Sequence, residues 1–138
     1  MRLLLDTNII VDIISKRQGY HDSLQILKYC EAKRAEGYVS ATTVTDVMYI
    51  LRKHIAPADV RSSVQSLLAI VDVVGVLKSD IFAAFNSGIK DFEDAVQISC
   101  AKRINADYII TRNIKDFEAS PIPAKLPDVA LKMLQSSK

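Results

Sequence analysis

The residues best suited to chemistry are aspartates. The run LLLD carries an apolar stretch straight onto Asp6, with Thr7 and Asn8 after it. Asp46 falls about one turn into a helical stretch, and Asp91, Glu93 and Asp94 crowd the first turns of another. The turn TRNIKDF brings Thr111, Arg112, Asn113, Lys115 and Asp116 together just after the apolar DYII. Any one of these acids alone reads most simply as a helix cap or a solvated side chain. Gathered in one place, they would repel one another and raise one another's pKa unless a cation sat among them. An all-oxygen donor set without His or Cys suits a hard divalent ion, Mg²⁺ or Mn²⁺. Such an ion can activate water and stabilise a phosphoryl transition state.

Whether the acids meet depends on the elements that carry them. Residues 2–5 read as a short buried strand, and Ile9, Ile10, Ile13 and Ile14 give residues 8–15 a helical period. Leu24, Ile26, Leu27 and Cys30 predict an amphipathic helix over residues 21–36, stopped by Gly37. Tyr38 and Val39 form a very short strand. Ser40 is an N-cap for a helix over residues 41–54, with Val44, Val47, Met48 and Leu51 inward. Pro57 opens a helix to about Ile70, VDVVGV reads as a strand, and residues 78–86 are helical. The stretch DFEDAVQISCAKRINA is helical, with Phe92, Ala95, Val96, Ser99 and Cys100 on one side, and DYII is a strand. The tail gives a short extended piece and a last helix.

Short strands alternating with helices predict an α/β fold with a mainly parallel sheet. A helix in a βαβ crossover runs antiparallel to its strands, so its N-terminus lies at their carboxyl edge. Asp6, Asp46, Asp91, Asp94 and the 111–116 turn would then share that edge, where α/β proteins bind ligands.

The chain has 138 residues, 49% of them hydrophobic and 25% charged, which predicts one domain, residues 1–138, and argues against disorder. A net charge of +2 neither requires nor excludes a nucleic-acid partner, because a basic rim can offset an acidic cleft. Cys30 and Cys100 lack metal-ligand spacing and predict free thiols in a cytoplasmic protein. Asp6 interrupts the first apolar run, which argues against a signal peptide, and no run is long enough for a membrane span.

Three segments, LLLDTNIIVDII, SATTVTDVMYILRK and DFEDAVQISCAKRINADYIITRNIKDF, resemble the PIN domain, and the likeness extends over nearly the whole chain. The last is the most specific, with DFEDA, the apolar strand and TRNxxDF in the family's order and spacing. The chain is most similar to the small prokaryotic single-domain members, many of them VapC-type toxins. The resemblance implies a three-layer α/β/α sandwich, a Mg²⁺- or Mn²⁺-dependent endoribonuclease, an antitoxin partner and a homodimer. Carried over by position, Asp6 is the first metal-binding acid and Asp94 the third, with Asp91 and Glu93 beside it. Asp46 stands where the family usually has Glu. It is a methylene shorter, so a bridging water can replace direct contact. Asp116 or Asn113 supplies the last position, and Asn8 and Thr111 support the acids.

An acidic cleft repels RNA, so cations must come from its rim. Arg112 and Lys115 lie in the same turn as Asn113 and Asp116, and Lys16, Arg17, Arg52 and Lys53 are further candidates. Tyr49 and Phe92 are expected in the core, leaving no aromatic platform for bases, and neither His21 nor His54 neighbours the acids. The alternative to an enzyme is a non-catalytic PIN-like RNA-binding or scaffold module, favoured by the change at Asp46. A receiver-like or phosphatase-like domain ranks third, for want of a Lys at the end of an apolar strand.

Overall fold

The computed structural model describes residues 1–137. Five strands form one sheet: β1 (Arg2–Leu5), β2 (Glu36–Ser40), β3 (Asp72–Val74), β4 (Tyr108–Ile110) and β5 (Ala124–Lys125). All pairings are parallel and the order is β3-β2-β1-β4-β5. The central strand β1 pairs Leu4 with Tyr38 on one side and with Ile109 on the other. Both edges of β1 are therefore hydrogen-bonded, and its side chains enter a core on each face of the sheet, which explains its uninterrupted apolar sequence.

Among the described residues seven helices cover the sheet: α1 (Thr7–Ser15), α2 (Tyr20–Glu31), α3 (Ala41–Leu51), α4 (Pro57–Leu68), α5 (Lys78–Phe85), α6 (Phe92–Arg103) and α7 (Pro127–Ser136). Strand side chains alternate in direction, so each face has its own core. Leu3, Leu5, Val39 and Ile110 pack with α1 to α4 and α7. Leu4 and Ile109 pack on the other side with α5, α6 and Phe117. The result is the expected α/β/α sandwich. Among the described residues no helix is long and apolar enough to cross a membrane. Cys30 and Cys100 are free and buried.

The structure departs from the sequence reading at the second helix and at Phe92, and the helix read over residues 41–54 ends at Leu51. The second helix ends at Glu31 rather than Glu36, and Lys33 turns left-handed at φ 60°. Residues 31–36 favour helix locally, but Glu36–Ser40 is needed as a five-residue strand between β1 and β3, and the sheet wins. Phe92 also lies outside the core. It is 41% exposed and rests against Phe85, itself 70% exposed, with ring centroids 4.7 Å apart.

On the far face, Asp80 of α5 is buried and ion-paired to Arg103 of α6 at 2.9 Å. Burial opposes its charge, but hydrogen bonds from Arg103, the Leu77 amide and Ser99 overcome that and hold its pKa below the ordinary value.

Gly37 lets β2 pass close to its neighbours. A Cβ there would lie 2.8 Å from Val71 Cγ1 and 2.9 Å from Cys30 Sγ. Gly37→Ala is expected to cost about 1–3 kcal/mol, lowering the urea midpoint with little change in slope. An unchanged midpoint would show that Val71 and Cys30 yield freely.

Candidate active site

The chain runs from β1 to α1 through Asp6, whose side chain caps the helix. Asp6 Oδ1 accepts from the Thr7 amide at 2.8 Å and from Gln97 Nε2 at 3.3 Å. Its Oδ2 accepts from Thr111 Oγ1 at 2.8 Å and from Asn8 Nδ2 at 3.3 Å. Asp6 is only 7% exposed. Burial pushes its pKa up, donors from Thr111, Thr7 and Gln97 pull it down, and Asp116 adds to the rise.

The edge has a second capped start. Ser40, at the end of β2, caps α3 by accepting from the Thr43 amide. Thr43 Oγ1 lies 3.0 Å from Thr7 Oγ1 and accepts from Gln97 Nε2 at 3.0 Å. A buried polar layer of Ser40, Thr43 and Gln97 thus underlies Asp6. Asp46, one turn along α3, is partly buried. Its Oδ2 has no hydrogen-bond partner, and burial raises its pKa.

The third start is α6, capped by Asp91, whose Oδ1 accepts from the Asp94 amide at 2.9 Å. Asp94 is pushed up to about 7, first by burial and then by the charges of Asp91, Asp6 and Asp116. Three helix N-termini at one edge supply partial positive charge, which lessens the repulsion without removing it.

Asp6, Asn8, Asp46, Asp91, Asp94 and Asn113 line one cleft of about 370 Å³, together with Glu93, Arg17 and Tyr49. Thr111 is buried beneath Asp6, and its Oγ1 also accepts from the Asn113 amide at 3.0 Å. Asp116 lies just outside the lining, exposed in the 3-10 turn Ile114–Phe117, yet near enough to raise the pKa of both Asp6 and Asp94. A larger cavity of about 600 Å³ lies between α5 and α6. Its one acid, Asp80, is already paired with Arg103, whereas the smaller cleft gathers acids that no cation among the described residues pairs.

Arg112 is tethered: its Nε lies 2.6 Å from Asp12 Oδ2 while the side chain stays 45% exposed, and its amide donates to Asn8 Oδ1 at 3.4 Å. Lys115 is exposed on the 3-10 turn. Tyr49, expected in the core, is 65% exposed at the cleft. Neither His21 nor His54 lines it.

Sequence reasoning missed Gln97, Thr43 and Asp12. Asp12 did carry a signal, since an acid inside IIVDII needs a cation once buried. Gln97 carried none, because a lone polar residue on an apolar helix usually faces water.

The acids of the cleft offer carboxylate oxygens, and Asp46 Oδ2 is buried with no hydrogen-bond partner. Both observations fit a hard divalent cation. As the side chains stand, no three His, Cys, Asp or Glu groups among the described residues are close enough together to hold an ion. The acids encircle a cleft rather than forming a closed cage, an open arrangement that leaves room for substrate.

The PIN domain family model matches residues 2–115. The chain belongs to the PIN domain family. No curated protein matches it in sequence. Among solved structures, it is similar to VapBC2 from Rickettsia felis bound to a promoter DNA fragment, at 23% identity and TM-score 0.72, over 91% of this chain and 98% of that one. DNA-bound VapBC from Salmonella typhimurium gives 15% identity and TM-score 0.73, over 92% and 98%. VapC20 of Mycobacterium tuberculosis, a toxin that cleaves the sarcin-ricin loop, gives 10% identity and TM-score 0.64, over 78% and 86%. At these identities the likeness establishes the PIN fold.

The raised pKa of Asp94 has a consequence for stability. Between about pH 4 and pH 7 the folded protein keeps a proton that the unfolded chain has released, so stability falls as pH rises through that window. Metal-free Asp94→Asn should therefore exceed wild type by about 1–2 kcal/mol near pH 8, after allowance for solvent screening, and match it near pH 4. Thermal unfolding in EDTA at both pH values measures this. A difference that does not vary with pH would contradict the shift.

Proposed function

We propose that this PIN-domain protein is a Mg²⁺- or Mn²⁺-dependent endoribonuclease acting in the cytoplasm, the toxin of a toxin–antitoxin pair. The observation that carries the reading is the meeting of Asp6, Asp46, Asp91 and Asp94 in one cleft, with Asp94 pushed up to about 7 by burial and by its neighbours. Family membership and the likeness to VapBC structures support it. The same likeness supports an antitoxin partner, and a homodimer is part of the reading.

Asp6 and Asp94 are the principal metal ligands, with Asp46, Asp116 and Asp91 completing the charge around them. The bound ion supplies an acidified water and neutralises charge on the scissile phosphate. Asp6 already accepts four hydrogen bonds, and the two at 3.3 Å, from Asn8 and Gln97, are the ones that would yield if it held the ion. Thr111 and the Thr7 amide, both at 2.8 Å, keep the carboxylate in place meanwhile. Asp91 fixes the start of α6 and thereby the position of Asp94. Asn113 stands at the rim, with its amide held by Thr111. Arg112, steadied by Asp12, and the exposed Lys115 give the acid cleft a cationic border that meets RNA phosphates.

A second reading is a PIN-like module that binds RNA without cutting it. Asp46 in place of the usual Glu favours it, as does the open spacing of the acids.

Purified protein incubated with a mixed single-stranded RNA pool and Mg²⁺ or Mn²⁺ separates the two. The nuclease reading expects cleavage that EDTA abolishes and that Asp6→Asn/Asp94→Asn lowers by at least about 100-fold. Wild type no faster than the double variant, with either metal, would leave the binding module as the better reading.

A further inference from the structure

Helix α3 carries side chains that the acid cleft alone does not explain. Asp46, Tyr49 and Arg52 follow at three-residue intervals across the end of α3, so each lies beside the next on one strip. Asp46 and Tyr49 both line the cleft. Tyr49 is 65% exposed, an unusual place for a large ring with so much apolar surface to hide. The guanidinium of Arg52 lies over that ring, 3.5 Å from its centroid, and also donates to the Tyr49 carbonyl. One face of the ring is thus covered by a tethered cation, and Arg52 leaves the opposite face free.

We propose that this strip is a nucleotide subsite for single-stranded RNA, in which Tyr49 stacks on the base next to the phosphate held at the acids and Arg52 meets the adjoining phosphate. The proposal rests on reading the cleft as an RNA-cleaving site and names the form in which RNA enters it. Neighbours on one strip of a helix stand about 5–6 Å apart, comparable to the offset between a nucleotide's phosphate and its base. Stacking on a side chain needs a base whose face is open, which a duplex denies and a loop or single strand offers. A ring already gripped by a guanidinium loses little freedom on binding, and the cation adds attraction for the strand. A protein partner is the weaker match. Beside this strip Ile50 is exposed, but Arg52 and, in the turn after α3, Lys53 and His54 are exposed too, which suit a polyanion better than an apolar contact.

The test uses a labelled single-stranded RNA oligonucleotide and versions of it made abasic at either position flanking the scissile bond. Tyr49→Ala is expected to raise KM on intact RNA roughly 5- to 100-fold with little change in kcat. Tyr49→Phe should restore it, and on the matching abasic RNA the alanine variant should match wild type. Arg52→Ala should weaken binding and flatten its salt dependence by about one phosphate contact. An unchanged KM for Tyr49→Ala, or the same loss on intact and abasic RNA, would overturn the subsite while leaving the nuclease reading in place. Loss of a dimer by Tyr49→Ala in sedimentation, with KM unchanged, would overturn it in favour of a protein contact. If wild type cuts no RNA, the nuclease reading fails separately, and fluorescence polarisation with the same oligonucleotides decides the subsite. Tighter binding by wild type than by Tyr49→Ala, confined to intact RNA, supports it, and equal binding overturns it.

Discussion

Gathering Asp6, Asp46, Asp91 and Asp94 around one cleft costs free energy, and much of the local architecture answers that cost. The three helices that begin there direct their amide dipoles at the acids. Thr111, Asn8, Gln97 and the Thr7 amide all donate to Asp6. What these donors leave uncompensated shows at Asp94, pushed up to about 7, and at Asp46, whose Oδ2 has no partner. A site built this way keeps uncompensated negative charge that the proposed cation would offset. That is why the acids and the proposed metal belong to one explanation.

The sheet fixes where the cost is borne. Strand β1 lies between β2, which follows it in the chain, and β4, so the chain runs one way across the sheet from β1 to β3 and then crosses back to the other side of β1. A crevice opens at such a reversal, off the carboxyl ends of the strands. Asp6 and Thr111 are the residues that follow β1 and β4 there. Arg112, next in line, is drawn to the buried Asp12 of α1. That pair keeps a guanidinium near the rim and offsets part of the cost of burying the Asp12 carboxylate, through its Oδ2.

Most of this was legible in the sequence because it is local. The apolar run ending on Asp6, the Ser40 cap and the acids at the start of α6 each declare a strand end or a helix start. The right-handed crossover then brings them to one edge. The cross-chain partners were not legible. Gln97 meets Asp6 and Thr43 only in the folded protein, at separations of 91 and 54 residues. Tyr49 and Phe92 were read inward because aromatic residues usually bury their area, yet both lie on the surface. The end of α2 was missed because the demand for a longer β2 overrides the helix propensity of residues 31–36.

The central claim is that the repulsion within this cleft is relieved by a divalent cation. Calorimetric titration of the protein with Mn²⁺ near pH 7, in buffers of different ionisation enthalpy, tests it most directly. If the claim holds, Mn²⁺ binds with release of a proton, because the ion displaces the one that Asp94 carries near its raised pKa. The release should vanish in Asp94→Asn and shrink near pH 9, where Asp94 is already ionised. No binding, or binding in wild type with no proton released near pH 7, would contradict the claim.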